Sequence, residues 1–293
     1  MAISKTTGEK VFTVVNSVFM TLLMLVTLYP IWHVAVASFS IPSQVMAHRG
    51  LFLWPKGLTL ETYVFLFKHP LLLTSYGNTI YYVLFGTAIN LIMTFHAAYV
   101  MAKRGLYFKK FIMFFIVLTM FISGGLIPSF LLIQSLGLYN TVWAIVLPGA
   151  ISTYNMIMMR TFFMGLPIDL EESARIDGAK ELTILYKIIL PLSAPIIAVI
   201  TLYYGVSHWN SWFREMIYLN SRSRFPLQSI LREILILGQM SSLQEETDAY
   251  VYRSIEATVK YATIMVATVP ILCVYPFLQK YFAKGVLVGA LKG

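Results

Sequence analysis

Six stretches of this chain run for about twenty residues or more with no charged side chain in their interiors: roughly 11–38, 76–102, 111–133, 141–163, 191–213 and 260–280. A helix crosses a hydrocarbon core of about 30 Å in about 20 residues. In that medium every backbone N–H and C=O must find its partner within the protein. Runs of this length and number predict an all-α polytopic membrane protein with six transmembrane helices, both termini on one side and a single domain over 1–293. Composition agrees, with 58% hydrophobic and only 12% charged residues, against about 25% charged in soluble domains. Arg160, Lys260 and Lys280 stand near run ends, where long side chains reach back to the interface.

Net charge is +9. In a soluble chain that would invite a nucleic-acid reading. Here the positives sit in short loops between apolar runs, so they set orientation and no nucleic-acid partner is expected. The side that holds the termini carries 13 of the 22 basic residues, with "KRGLYFKK" (103–110) the densest group. The positive-inside rule therefore places both termini in the cytoplasm, and an uncleaved first helix is expected because its apolar run is far longer than a signal-peptide core. The lone Cys273 lies in an apolar run. One cysteine excludes an internal disulfide and any cysteine-based metal site.

The polar stretch "EESARIDGAKELTILYKIILP" (171–191) interrupts this pattern on the cytoplasmic side. Asp169 with Glu172 three residues on predicts a capping box and a short helix from Leu170 to about Ile176. Asp177-Gly178 reads as a turn. Leu182, Leu185, Tyr186 and Ile189 are spaced to form one apolar face of a second helix, with Pro191 where that helix hands over to the fifth span. On the opposite side, residues 39–75 carry turn signals in "WPKG" and "KHP", and "QSILREILILG" (228–238) reads as an amphipathic helix. Gly124, Gly125 and Pro128 are expected to break or kink the third span.

Glu172-Ser173-Ala174, three residues, Gly178, nine residues and Ile188-x-Leu190-Pro191 together resemble the EAA loop of ABC importer permeases, with serine in place of one alanine. "SGGLIPSFLLIQSLGLYNTVWAIVLPGAIS" (123–152), "WNSWFREMIYL" (209–219) and "YPFLQKYFAKGVLVGALKG" (275–293) resemble the carbohydrate branch of that family. The likeness spans essentially the whole chain. It is nearest to the subgroup that imports oligosaccharides and polysaccharide fragments, and within it to permeases of bacterial alginate importers.

The resemblance implies a type I permease fold in a bacterial inner membrane. The 167–191 loop would be a cytoplasmic coupling helix, with Glu172, Ser173, Ala174, Asp177 and Gly178 meeting an ATPase subunit. It implies a heterodimer with a homologous permease, two cytoplasmic ATPase subunits and an external solute-binding protein. It also implies that the tail 281–293, ending in Lys292 and Gly293, reaches between the ATPase subunits. The chain has no G-x-x-x-x-G-K-[ST] motif, so ATP and Mg act in a partner, and this chain carries no cofactor and catalyses no covalent chemistry.

A sugar path within the spans calls for aromatic rings and amides. Asn78, Tyr82, Asn90, Tyr154, Asn155, Trp209 and Asn210 are the candidates, each weighed against a role as helix–helix glue. Trp209 and Asn210 end the fifth span downstream of the polar segment, so one continuous helix is expected to relay its movement. His33, His96 and His208 lie in separate segments without ligand spacing and read as structural. An ion-coupled secondary transporter of a small polar solute is the alternative. The spans lack the carboxylates that proton coupling would use, which leaves sodium coupling open. A membrane-embedded enzyme is a third reading, and the absence of a catalytic constellation counts against it.

Overall fold

The computed structural model describes residues 6–241, 258–274 and 276. Among the described residues the regular elements are helices, with one isolated antiparallel bridge between Ser40 and Leu58. The chain divides into two compact units, residues 1–69 with 233–269, and residues 70–232 with 270–293. The expected tail contacts of Lys292 and Gly293, and the last part of the 260–280 run, lie outside the described residues.

The first unit is built on α1 (Thr7–Ser38). Its start is fixed by a capping box in which Thr6 accepts from the Glu9 N–H and the Glu9 carboxylate accepts from the Thr6 N–H. At about 1.5 Å per residue it is long enough to cross a bilayer with several turns to spare, and its most apolar window is unburied by the rest of the chain. Only its end is packed. Val36 and Ala37 form a small core with Phe52, lined by Val45 of α2 (Pro42–Ala47) and by Tyr261. Trp32 donates its indole N–H to the Leu53 carbonyl, and Tyr63 of α3 (Glu61–Phe67) donates to Ser38. Thr62 shares a proton with Thr258, the first residue of the helix Thr258–Val274.

The second unit is organised by α4 (Leu72–Ala102), with α1 one of the two helices among the described residues long and apolar enough to cross a membrane alone. After it come α5 (Lys109–Leu118), α6 (Leu126–Ser135) and α7 (Val142–Val146) with a 3₁₀ turn at Leu147–Gly149. Next are α8 (Thr153–Met164), α9 (Asp169–Ile176), α10 (Glu181–Ile184), a π turn at Leu185–Ile189 and α11 (Leu190–Leu192). The last two are α12 (Ala194–Trp209) and α13 (Phe213–Tyr218), and α14 (Leu227–Ser241) begins in this unit and ends in the first. α4 packs chiefly on α12 and α8. Their shared core holds Phe95, Met156, Met159, Ile184, Ile189 and Ile200.

Several expected spans are interrupted. The 111–133 run breaks over residues 119–125, with Gly124 and Gly125 at the far end of the break and Pro128 inside the first turn of α6. The 141–163 run bends by 51° between Gly149 and Thr153. The fifth run is not the continuous helix expected from sequence. The segment Glu181–Leu192 meets α12 at 80°. The cause is local: Pro191 and Pro195 flank Ser193 and neither can donate a backbone bond. Ser193 turns both its N–H and its hydroxyl onto the Ile189 carbonyl, at 2.9 and 2.6 Å.

A break in a buried apolar setting leaves backbone groups that side chains must satisfy. Asn90 of α4 donates its amide to the Gly149 and Ala150 carbonyls at 2.7 and 3.0 Å. Its carbonyl oxygen accepts from His208 Nε2 of α12 at 2.7 Å. The Ser152 N–H donates to the Tyr204 hydroxyl at 2.9 Å, which lies 2.6 Å from Thr94 Oγ1. One residue on α4 thus braces the α7–α8 break and the end of α12 together. Replacing it with a residue of similar volume, Asn90→Leu, removes three interhelical bonds. At about 0.6 kcal/mol each in membranes, the loss is roughly 2 kcal/mol. We expect the purified complex to melt several degrees lower, measured by thermal unfolding in detergent; an unchanged midpoint would show that the brace contributes nothing.

Candidate functional site

The polar segment folds into a short helix, as expected, but its start differs. α9 begins at Asp169 with Ile168 as the cap, and no side chain caps it. The expected capping box is absent because Asp169 is already helical. Asp169, Glu171 and Glu172 instead fill the first turn, where carboxylates favour the helix dipole. The far end is a Schellman motif. The Gly178 N–H reaches the Arg175 carbonyl and the Ala179 N–H reaches the Ala174 carbonyl, at 3.0 and 2.9 Å. Gly178 has φ +79°, a conformation that a side chain strains. A Cβ there would meet nothing within 4 Å, so its outer side is open.

α9 is pinned from beneath and bare above. Ala174 and Ala179 pack on the core, while Glu172, Ser173, Asp177 and Gly178 are exposed. Ile176 is 87% exposed, a large apolar side chain offered outward amid charges. Sequence reasoning passed over it; the signal was an isoleucine on the polar side of an amphipathic helix.

The pin is a charge cluster. Lys103, just past the end of α4, holds Glu171 at 2.6 Å and Glu181 at 2.9 Å. Arg175 holds the other Glu181 oxygen at 2.6 Å and stands 3.7 Å from Glu171. Tyr99 donates to Glu181 at 2.9 Å, and the Lys103 ammonium lies 4.2 Å from the Tyr99 ring centre. The final carbonyls of α4 are capped by cations as well: Arg160 Nε donates to Met101, and Lys109 Nζ to Ala102 and Lys103. A cleft of 690 Å³ opens beside α9, bounded by Lys103, Arg104, Leu166, Glu172, Arg175 and Leu182 among others.

The second helix of the segment departs from its expected single apolar face. The face is already turned ahead of the π turn, with Ile184 buried in place of Leu182. Ile184, Leu185 and Ile189 are buried, while Leu182 is 65% exposed and faces the cleft. Tyr186 leaves the apolar face and its hydroxyl lies 2.7 Å from His96 Nε2, while His96 Nδ1 lies 2.7 Å from the Ile92 carbonyl. In the neutral ring Nδ1 must donate to that carbonyl, so Nε2 accepts from Tyr186.

The path candidates separate into two groups. Asn78 donates to the Ser223 and Phe225 carbonyls, Tyr82 to the Arg224 carbonyl, and Asn90 braces the break. Asn155 is buried at the start of α8. Tyr154 is 55% exposed and Asn210 is exposed at the end of α12. The Trp209 ring is half-buried, with its centre 6.4 Å from that of Tyr76.

Partial burial pushes the Glu181 carboxyl up. Hydrogen bonds from Lys103 and Tyr99 and the charges of Lys103 and Arg175 outweigh it and hold the group below its ordinary 4.5. Burial favours the neutral Lys103 amine, but its bonds to Glu171, Tyr99 and Glu181 hold it above its ordinary 10.5. The lowered carboxyl contributes stability above 4.5 that is lost as pH falls through its depressed value. The raised ammonium contributes stability below 10.5 that is lost as pH climbs through its raised value. Between those limits the pin is constant. Lys103→Met should loosen α9 by roughly 0.5–1 kcal/mol, given the solvent exposure of these pairs. That is about a two- to five-fold faster amide exchange in α9, read by hydrogen–deuterium mass spectrometry. Exchange corrected for intrinsic rate should stay flat in the wild type from pH 6 to 9, and a slope there would contradict the cluster as its anchor.

Comparison with known proteins places this geometry. Residues 95–288 match the family model described as binding-protein-dependent transport system inner membrane component. Protein LplC of Bacillus subtilis (strain 168) is 40% identical over 288 residues, covering 98% of this chain and 97% of its own length. The polygalacturonan/rhamnogalacturonan transport system permease protein YtcP of the same organism is 39% identical over 280 residues, covering 94% and 96%. A chain in the crystal structure of a bacterial ABC transporter involved in the import of the acidic polysaccharide alginate superposes with a TM-score of 0.82 at 32% identity, covering 96% of this chain and all of that one. The chain belongs to the family of binding-protein-dependent transport system inner membrane components, the permease subunits of ABC importers, which are not themselves enzymes.

Proposed function

We propose that this chain is one transmembrane half of an importer for fragments of acidic polysaccharides. It pairs with a homologous permease, two cytoplasmic ATPase subunits that bind ATP and Mg, and an external solute-binding protein. Both termini face the cytoplasm of a bacterial inner membrane. The observation that carries the reading is α9, a short helix fixed to α4 by charges on one side and left open on the other, with Glu172, Ser173, Asp177 and Gly178 turned outward. That is the form a docking element needs: its position is set by the transmembrane helices, and its free face is available to a partner. The saccharide class follows from the relatives, whose substrates include polygalacturonan, rhamnogalacturonan and alginate.

The assignment makes α9 the input of the machine. Closure of the ATPase pair pushes on α9. The push passes to α4 through Lys103 and to α12 through the π turn and the Ser193 bend. The test is ATP hydrolysis by the assembled complex in nanodiscs, with its binding protein and a panel of neutral and acidic oligosaccharides. Stimulation by acidic oligomers supports the reading, and a complex that purifies with no ATPase partner overturns it.

Gly178 separates two effects at the docking face. Gly178→Ala adds only backbone strain, roughly 1–2 kcal/mol. Gly178→Trp adds the same strain plus bulk on a side that its own chain leaves empty. We expect the alanine variant to keep most of its stimulated hydrolysis and uptake, and the tryptophan variant to lose about ten-fold or more with membrane insertion intact. Normal uptake by Gly178→Trp would remove Gly178 from the docking face.

A further inference from the structure

α12 ends at Trp209, and the chain turns through Asn210, Ser211 and Trp212 before α13 resumes. Sequence alone places residue 214 in an outer loop. In the fold, the guanidinium of Arg214 lies against the other break, between α7 and α8. Its Nη1 donates to the Ile145 carbonyl at 3.4 Å and packs over Gly149, where a Cβ would lie 2.8 Å from Nη1 and push the guanidinium aside. The Gly149 carbonyl is held by Asn90, three residues beyond the centre of α4. At about 1.5 Å per residue, that is within about 5 Å of the helix midpoint. Arg214 therefore stands near mid-depth, where an arginine is costly and marks a functional position.

Its needs are poorly met there. Arg214 is half-buried and takes part in none of the ion pairs found among the described residues, all of which belong to the α9 cluster. The next residue, Glu215, is 1% exposed and its carboxylate accepts from Ser211 Oγ at 2.8 Å. A guanidinium has five donors in a flat fork that matches a carboxylate. Arg214 has one long contact to a neutral carbonyl. Other polar capacity is unclaimed along the same part of α4 and α12: Thr87 Oγ1 and His208 Nδ1 are buried with no hydrogen-bond partner.

We propose that Arg214 is a specificity-determining residue that receives the carboxylate of an acidic sugar unit in transit. This rests on the importer reading above and narrows it to a named side chain. Trp209 and the exposed Asn210, within a few residues of it, supply the ring face and the amide that a sugar would also use. The match is chemical: Glu215 feels the Arg214 charge but is not within ion-pair distance of it, so the fork is left for the carboxylate that the substrate brings.

The experiment uses the whole complex in proteoliposomes with its binding protein. Uptake of an oligogalacturonide is compared with uptake of its fully methyl-esterified form of the same length. The wild type is set beside Arg214→Gln and Arg214→Lys, with basal ATP hydrolysis and melting temperature measured on the same preparations. A charged hydrogen bond contributes about 1.5–3 kcal/mol, so Arg214→Gln should lose roughly ten-fold or more of acid uptake. Ester uptake, basal hydrolysis and melting temperature should hold. Arg214→Lys should recover part of the acid uptake, because it keeps the charge and loses the fork. Equal loss on acid and ester, or a lowered melting temperature, would make Arg214 a brace for the break and overturn the proposal. A wild-type complex that moves neither sugar fails earlier, and takes the importer reading down with it.

Discussion

The second unit depends on one constraint: backbone polar groups freed by a broken helix must be satisfied where water is scarce. Two of its apolar runs break at the same level, one between Gly149 and Thr153 and one after Trp209. Neither break would persist if its carbonyls and N–H groups were left bare. At the first break Asn90 takes the Gly149 and Ala150 carbonyls and Tyr204 takes the Ser152 N–H, while His208 holds Asn90 from the end of α12. The bends are therefore fixed features of the packed unit. Non-helical backbone inside so apolar a unit is tolerated only if buried or lining a cavity.

The charged residues solve the opposite problem at the other end of α4. There the carbonyls that end the helix face cations from Arg160 and Lys109, and Lys103 turns away to hold α9. The ion pairs of this cluster are partly exposed, and their value lies in geometry more than in energy. They give α9 a fixed attitude to α4. The other route from α9 is bent twice, by the π turn and by the corner at Ser193, with Tyr186 tied to His96 on the way. On the proposed docking role, a push on α9 would reach α4 directly and α12 around a corner.

Much of this was legible in the residues. The long runs marked α1 and α4, and the spacing around Gly178 marked α9 and its turn. The glycine pair marked the break between α5 and α6. What stayed hidden depends on distance along the chain. Lys103 and Glu171 are 68 residues apart, and Asn90 and His208 are 118 apart. No local pattern announces such pairs. The missing capping box has a different origin: Asp169 had the right residue type, but the helix began one position earlier. The single apolar face of the second helix failed from its first residue, because Ile184 and not Leu182 meets the core. The fifth apolar run reaches residue 213, but its helix ends sooner, at Trp209.

Polar side chains inside so apolar a chain therefore fall into two kinds, and composition cannot tell them apart. Asn78, Tyr82 and Asn90 have their donors committed to backbone carbonyls at 2.7–3.0 Å. To bind a passing hydroxyl they would have to release a bond that holds a loop or a break. Tyr154 and Asn210 are open to approach, and Arg214 has most of its donors unspent. A transport path needs the second kind, because each contact must form and dissolve as the substrate moves. It also needs the first kind beside it, because an uncommitted guanidinium holds its place only if the break it leans on does not move. Asn90 fixes Gly149, and Gly149 makes the space that Arg214 occupies. The brace and the reader are thus parts of one arrangement.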